Sequence, residues 1–447
     1  MNDNIKLLYI DLFCGAGGTS TGVELATFHG CKCAKVIACV NHDSNAIQSH
    51  SANHPYALHF KEDIRTLFLS PLIEHTERLR LIHPNAYLVL WASLECTNFS
   101  KAKGGMARNA DSRTLAEHLF RYIEALHPDY IQIENVEEFM SWGDIDESGH
   151  PISKDKGRSY VRWVNNVCKF GYYFDWRILN AANYGAYTSR KRFFGIFARH
   201  GLPIAFPIAT HAKYPAKYRH YIFTADELQP WRRVRDVLDL NDKGESIFGR
   251  KKPLVENTLE RIYAGLIKFV ASGKEHFIVK WNSMNGKTGK YMPPSIDEPC
   301  PTVSTQNRLG IAMIDFFSNL KPWIMSTNYN YIGCSIDEPS QTITANRKFQ
   351  YLMNPQFSSK KGCIDIEIYK TDSPATIKIK EFMAIYGIAD IRMRMLNIKE
   401  LKLIMGFPED YILIGTQSEQ KKFIGNAVEV NMSRVLCEAL YKKLIQK

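Results

Sequence analysis

Leu7-Leu-Tyr-Ile-Asp-Leu-Phe-Cys-Gly-Ala-Gly-Gly-Thr-Ser-Thr-Gly22 decides the fold, because an apolar run passes directly into a glycine-rich loop. The run suits one buried strand, and the stretch after the glycines has the pattern of a helix. Glycines at such a turn let the backbone approach a ligand closely, although the same residues also suit an ordinary tight turn. The loop is therefore a candidate nucleotide or cofactor site.

Short apolar strands alternate with helical patterns through the first two hundred residues. Strands are predicted at Leu7–Ile10, Lys35–Val40, Ala86–Ala92 and Tyr130–Ile133, and helices at Ser44–Asn53 and Thr114–Leu126. This alternation predicts an α/β fold with a Rossmann-like parallel sheet and helices on both faces. Ligands of such folds bind beyond the carboxyl ends of the strands, so we expect the chemistry in the loops that follow these four strands.

The glycine loop lacks the groups that bind phosphates. A P-loop ending in Gly-Lys-Ser/Thr is absent, and neither Lys nor Arg lies between Asp11 and Gly22. These features favour a cofactor without phosphate, such as S-adenosylmethionine.

The composition limits the class of protein only loosely. The chain has 447 residues and a formal net charge of +11, which suits two or three domains and leaves nucleic-acid binding and simple solubility both open. No run of about 18 apolar residues spans a membrane, and the first residues have no signal-peptide pattern. The scattered cysteines indicate a reducing cytoplasm rather than a disulfide framework.

No metal site is predicted from the sequence. Cys31-x-Cys33 lacks the spacing of a metal-ligand pair. His42, His50 and His54 lie close together along the chain, and we interpret them as solvated or capping residues.

After about residue 199 the helical periodicity fades, and a duplicated segment follows. Ser295-Ile-Asp-Glu-Pro299 recurs as Ser335-Ile-Asp-Glu-Pro339, and the match continues for several residues. We interpret this as a duplicated strand-turn unit in a small β-rich domain, because two copies are too few for a solenoid. The last fifty residues return to helical patterns, at Lys399–Met405 and Asn431–Ile445.

Further candidate residues stand at predicted strand ends. Cys96 lies in a polar loop after the third strand, where a cysteine suits a nucleophile better than a core residue. Glu134 ends the fourth strand. Arg190 and Arg192 precede an apolar strand, and alternate residues of an extended segment share a face. Taken singly, the glutamate could be solvated and the arginine pair could be a surface stripe.

In this order and spacing the motifs resemble those of the DNA cytosine-5 methyltransferase family. The resemblance covers the first two hundred residues and the last fifty, where Met405-Gly-Phe-Pro408 and Lys422-Phe-Ile-Gly-Asn-Ala-Val428 are further signatures. It implies a discontinuous catalytic and cofactor-binding domain over residues 1–200 and 422–447. Residues 201–421, with the internal repeat, would form a smaller β-rich target-recognition domain.

The resemblance also implies a mechanism that the chemistry of cytosine explains. Carbon 5 is too weakly nucleophilic to accept a methyl group until a thiolate, here Cys96, adds to carbon 6. Glu134 would stabilise the intermediate at ring N3, with Asn135 fixing its loop. Arg190 and Arg192 would bind O2 and favour the thiolate. The base must leave the duplex, since carbon 6 lies inside the stack.

The methyl donor implied by the resemblance is S-adenosylmethionine. Asp63 and Ile64 would contact its adenine, and Asn426 would close the pocket. Asn41 stands where an acidic residue usually holds the ribose, and Asp43 is the alternative. The other implied cofactor-binding residues are Phe13, Cys14, Gly15, Gly17 and Gly18.

Two further departures from the family pattern flank the catalytic residues. Glu95 replaces the usual proline before the nucleophile, and Thr188 replaces the usual glutamine before the arginine pair. Glu95 either points to solvent or accepts the exocyclic amino group of cytosine.

Three rival functions remain at this point: an RNA cytosine-5 methyltransferase, an amino-methylating DNA enzyme and a catalytically idle DNA-binding module. The long region between Arg192 and Lys399 favours duplex DNA over RNA, and Met292-Pro-Pro-Ser295 does not match an amino-methylating motif. Retention of all four catalytic residues argues against an idle protein.

We predict a monomeric, cytoplasmic enzyme of a bacterium or phage-infected cell that acts on double-stranded DNA. A separate cognate restriction endonuclease is compatible with this function.

Overall fold

The computed structural model of the chain describes residues 5–94, 116–142, 157–215, 228–281, 292–306, 308–316, 323–326, 334–335, 350–353 and 366–446. Glu95, Cys96 and most of the second copy of the repeat lie outside the described residues. The chain divides into two compact units. The first contains Met1–Asp239, Ile296–Asn307 and Leu396–Lys447, and the second contains Leu240–Ser295 and Arg308–Met395. Residues 201–239 and 396–421 thus cluster with the first unit.

The first unit is built on a seven-stranded sheet. Its strands are β1 (Leu7–Leu12), β2 (Ala34–Val40), β3 (Leu58–Phe60), β4 (Tyr87–Ser93), β5 (Tyr130–Asn135), β6 (Tyr172–Asn180) and β7 (Lys191–Arg199). Their spatial order is β3-β2-β1-β4-β5-β7-β6. This arrangement confirms the predicted Rossmann-like α/β fold.

One strand contradicts the prediction of a parallel sheet. β7 runs antiparallel to β5 and to β6, whereas the other neighbouring pairs of this sheet are parallel. The segment 181–190 joins β6 to β7, and so short a connection cannot form the crossover that a parallel pair needs.

Helices cover both faces of the sheet, as predicted. They are α1 (Gly18–Leu25), α2 (Ser44–Asn53), α3 (Ser70–Ile82), α4 (Leu119–Leu126) and α5 (Arg158–Cys168). Alternate residues of β1 feed two separate cores: Leu8 packs with α3 and α4, and Tyr9 packs with α1. The apolar strands are therefore buried on both sides.

The second unit is β-rich. Its strands are β8 (Glu245–Ser246), β9 (His276–Lys280), β10 (Leu309–Phe316), β11 (Trp323–Ser326), β12 (Cys334–Ser335), β13 (Gln350–Met353) and β14 (Ile388–Met395). They form antiparallel sheets with the orders β8-β14-β10-β9 and β12-β11-β13. Helices α6 (Glu256–Lys268) and α7 (Pro374–Tyr386) share one apolar core with the four-stranded sheet.

The chain then returns to the first unit as three helices. These are α8 (Ile398–Ile404), α9 (Gln417–Asn426) and α10 (Val430–Ile445). The bounds of α8 and α10 are close to those predicted, whereas α9 was not predicted from the sequence. The shorter elements are strands Thr27–Phe28, Cys31–Lys32, His211–Ala212 and Gln229–Pro230, and 3-10 helices Glu137–Ser141, Ala181–Tyr184, Val234–Val237 and Val270–Ser272. Over the described ranges, no helix combines the length and the apolar character needed to cross a membrane.

The first copy of the repeat does not form the strand-turn unit that the sequence predicts. Its described residues belong to no strand, and Cys300 makes only an isolated bridge with Thr188. The main chain of Cys300 bonds to Tyr187 and Ser189, so this segment pairs with the stretch before β7.

Two glycines allow α1 to lie directly on the returning chain. A Cβ added to Gly18 would stand 2.5 Å from the carbonyl oxygen of Val428. A Cβ at Gly22 would overlap the hydroxyl of Ser433 and the carbonyl oxygen of Val430. The main chain of α1 lies so close to the returning chain and to the Ser433 hydroxyl that even one methyl group has no space.

We expect Gly22→Ala to lower the free energy of unfolding by about 1–3 kcal/mol, because it overpacks the contact between α1 and α10. Urea denaturation of the purified protein measures the change. Leu25→Ala, at an exposed position of the same helix, is the matched control and should change stability by less than about 0.5 kcal/mol. Equal losses for both variants would contradict the close-contact explanation.

Candidate active site

The glycine loop after β1 has one open side. Among the residues that the structure describes, nothing lies within 4 Å of a Cβ built on Gly15, whose φ is +52°. At Gly17 the added atom would overlap the hydroxyl of Tyr411, and at Gly18 it would meet Val428. Gly17 and Gly18 therefore accommodate the chain itself. A ligand has room on the Gly15 side.

The loop backbone is held from two directions. The main-chain N–H of Cys14 donates to the carbonyl of Val40 at the end of β2, at 3.2 Å. Tyr411 donates its hydroxyl to the carbonyl of Ala16 at 2.5 Å. Phe13 adopts a left-handed φ of +60°, a conformation that is uncommon for a bulky residue and persists only where its surroundings enforce it.

Asn41 and Asp43 use their side chains locally after β2. Asn41 Oδ1 accepts the main-chain N–H of Asp43 at 2.9 Å. Asp43 Oδ1 caps α2 by accepting N–H groups of Asn45 and Ala46 at 3.0 and 3.1 Å. Because Asp43 acts as a helix cap, Asn41 is the better candidate for a ribose contact.

Asp63 and Ile64 follow β3, at the same edge of the sheet. A bidentate contact with Arg65, at 2.6 Å for the shorter N–O distance, holds the pKa of Asp63 below its usual value. The side chain of Ile64 is buried in the core, and its carbonyl accepts the hydroxyl of Tyr122 at 2.8 Å. The main chain at this position is therefore rigidly supported.

A buried chain of polar groups connects β1 and α2. Ser20 donates to Asp11 Oδ2 at 2.7 Å, and His50 Nε2 lies 2.9 Å from the hydroxyl of Ser20. Burial raises the pKa of Asp11 to about 8, although the hydrogen bond from Ser20 opposes this. His50 is fully buried, so its interpretation as a solvated or capping residue is wrong. His42 is exposed, as expected.

Glu134 and Arg192 form a mostly buried ion pair. The distance from Arg192 Nε to Glu134 Oε1 is 3.3 Å. Glu134 is the second-last residue of β5, in register with Ser93 of β4 and Phe194 of β7. Two of the predicted catalytic side chains therefore meet at the carboxyl end of the central strands.

Asn135 ties this ion pair to the loop that carries Cys96. Its side-chain amide donates to the carbonyl of Leu94 at 3.3 Å, and its Oδ1 accepts the N–H of Val136 at 2.8 Å. Leu94 is the last described residue before that loop, and Cys96 itself lies outside the described residues. These contacts join the end of β5 to the end of β4, and the role of Asn135 in fixing the loop that carries Glu134 stays a prediction.

Arg190 takes a different direction from Arg192. Its buried guanidinium donates to the carbonyls of Gly425 and Val303 at 3.2 and 3.4 Å. Gly425 in turn has no room for a Cβ, which would overlap the main chain of Ser304. Arg190 therefore joins three stretches of the first unit, and its predicted contact with cytosine stays a prediction.

Asn426 is the exposed last residue of α9, next to the contact between Val428 and Gly18.

Glu429, which follows Asn426 closely along the chain, was not predicted from the sequence, although it precedes an apolar helix. Glu429 caps α10 through the N–H of Met432 at 2.9 Å. Burial raises the pKa of Glu429 to about 8, while hydrogen bonds from the helix start oppose the shift.

S-adenosylmethionine-dependent methyltransferases have a glycine turn after the first strand of such a sheet. This fold and this site therefore define that class of protein. The protein-family model of the C-5 cytosine-specific DNA methylases matches residues 7–442, so the chain belongs to this family.

Known relatives match nearly the whole chain. It is 22% identical to the Type II methyltransferase M1.HphI of Haemophilus parahaemolyticus, with 98% of this chain and 87% of that protein covered. It is 23% identical to the Type II methyltransferase M.SacI of Streptomyces achromogenes, with coverages of 99% and 94%. Among solved structures, the Entamoeba histolytica methyltransferase EhMeth has a TM-score of 0.51 at 15% identity, with coverages of 98% and 99%, which supports the fold alone.

A double-mutant cycle should separate the two arginines. Glu134→Gln and Arg192→Gln should couple by about 0.5–3 kcal/mol in the free energy of unfolding, because the residues form one buried pair. The effects of Glu134→Gln and Arg190→Gln on the free energy of unfolding should be additive to within about 0.5 kcal/mol, because Arg190 contacts main-chain carbonyls instead. Urea denaturation of the single and double variants measures both coupling energies. Strong coupling of Glu134 to Arg190 would contradict the separate contacts observed for the two arginines.

Proposed function

We propose that this chain transfers a methyl group to carbon 5 of a cytosine flipped out of a specific duplex DNA sequence, with Cys96 as the attacking thiolate. The buried pair of Glu134 and Arg192 carries the proposal. It lies at the sheet edge from which the Cys96 loop departs, and Asn135 ties the two strand ends together. The family match over residues 7–442 supports the same chemistry.

Each catalytic side chain has a distinct task in this proposal. Addition of the Cys96 sulfur to carbon 6 forms an S–C bond and moves the electron pair of the 5,6 double bond, so that carbon 5 becomes nucleophilic. Glu134 supports the charge that develops at N3, and Arg192 orients Glu134 and faces O2. Once carbon 5 carries the methyl group, loss of its proton to a solvent base expels the Cys96 thiolate and restores the 5,6 double bond.

The residues around the glycine loop fit the methyl donor. S-adenosylmethionine, when bound, supplies the methyl group that carbon 5 accepts. The side left open at Gly15 offers room for it, and Asn41 and Asp63 stand at the neighbouring strand ends. The remaining holding residues in this proposal are Phe13, Cys14, Gly17, Gly18, Ile64 and Asn426.

The biological role we propose is protection of the cell's own DNA. Both relatives described above are named Type II methyltransferases. A cognate restriction endonuclease would act as a separate protein, and this chain would work as a monomer in the cytoplasm of a bacterium or a phage-infected cell. The family match does not favour the RNA alternative.

The second unit is the proposed reader of the DNA sequence. It has its own apolar core and two antiparallel sheets, so it can vary without disturbing the sheet that carries the catalytic residues. Strands and loops of this kind suit the major groove. The net charge of +11 supports phosphate contacts, and hence binding that weakens steeply as salt rises.

Cys96→Ala should abolish methylation while leaving DNA binding largely intact, because the thiolate is needed only for addition to carbon 6. Bisulfite sequencing of DNA from expressing cells reports activity, base and sequence context together. A duplex containing 5-fluorocytosine should trap the wild type covalently but not the variant. Cys168→Ala, which alters a half-buried cysteine of α5, is the control and should retain both activities. Substantial methylation by Cys96→Ala would refute the mechanism.

Exchange of both segments of the second unit, Leu240–Ser295 and Arg308–Met395, for those of another family member should transfer the methylated sequence. The reason is that the catalytic strands all lie in the first unit. Bisulfite sequencing of the chimera measures the outcome. A chimera that is active on the original sequence would show that the first unit reads the DNA.

A further inference from the structure

Two thiols and an imidazole converge beside the glycine loop, and of their residues the proposed cofactor site uses only Cys14. The ligand atoms of Cys14, Cys39 and His50 lie within 4.8 Å of one another, and all three residues are buried. His50 Nδ1 is 3.5 Å from Cys39 Sγ and 3.0 Å from His59 Nε2. Three groups that bind transition metals thus face one small volume, and the imidazole of His59 adjoins it.

The hydrogen bonds of His50 fix which ring nitrogen faces these groups. Ser20 gives its proton to Asp11, so its oxygen accepts from the N–H at His50 Nε2. This leaves a lone pair on Nδ1, directed at Cys39 and His59. Metal-binding histidines are held in the same way, with the second ring nitrogen donating to a polar group that is itself anchored.

We propose that Cys14, Cys39 and His50 bind a transition-metal ion, best suited to Zn²⁺, with His59 completing the set. In a tetrahedral zinc site, sulfur and nitrogen ligands stand about 3.5 Å apart and two nitrogens about 3.3 Å apart. The two distances at His50 are close to these values. Burial of the three main ligands suits a structural site rather than a catalytic one.

The site would pin the glycine loop to its neighbours in the sheet. Cys14 lies in the loop, Cys39 in β2, His50 in α2 and His59 in β3, so one ion would join four elements. The spacing of cysteines and histidines along the sequence does not predict such a site, because its ligands come from separate secondary-structure elements. A metal there would stabilise the loop in the folded state and would bind little to the unfolded chain.

Metal analysis of the full-length protein tests the proposal directly. Protein purified without chelators should contain about one zinc per chain by plasma mass spectrometry. After removal of zinc, titration with Co²⁺ should produce a thiolate-to-cobalt charge-transfer band that saturates at one equivalent. Both readouts are independent of methylation and can be repeated on the Cys96→Ala protein, so failure of the proposed function leaves them intact.

Variants assign the ligands. Cys39→Ser should remove the charge-transfer contribution of one thiolate, and Ser20→Ala, which removes the support of His50 together with the hydrogen bond to Asp11, should weaken Co²⁺ binding at least about 10-fold. Cys33→Ser, another buried cysteine of the first unit, is the matched control and should bind as the wild type does. Folding of each variant is checked by circular dichroism. Wild-type protein that holds no zinc and gives no charge-transfer band with Co²⁺ would overturn the proposal, leaving the cluster as a hydrogen-bonded core.

Discussion

The first unit depends on the contact between the glycine turn after β1 and the returning carboxyl-terminal segment. Gly18 accommodates the main chain of Val428, and Gly22 lets α1 lie directly on α10. The hydrogen bond from Cys14 to Val40 fixes the turn from the opposite direction. The shape of the loop is therefore set by the protein's own backbone, and a ligand that enters on the Gly15 side has little ordering left to do.

The strands, most helices and the chemical class of the site could be predicted because local patterns determine them. A buried apolar run looks the same in either direction, so the reversal of β7 depends on the short connection from β6. His50 lies in a weakly amphipathic helix, and only the packing of α2 reveals its burial. The glycines showed where close approach is needed, but not whether a ligand or the chain itself approaches.

The two arginines show where a rule of local geometry stops applying. Alternation predicts a shared face for Arg190 and Arg192 only inside a regular strand, and β7 begins at Lys191. Arg190 therefore turns to the carbonyls of Val303 and Gly425, while Arg192 pairs with Glu134. One motif thus combines a structural clamp with an electrostatic support for Glu134.

The path of the chain between the units has a consequence for protein synthesis. The helices of Leu396–Lys447 complete the first unit only after the whole of the second unit has been made. Until then Arg190 lacks the carbonyl of Gly425, and α1 lacks its partner α10. A ribosome-bound chain that has not yet reached residue 425, or one truncated before it, therefore has an incomplete first unit.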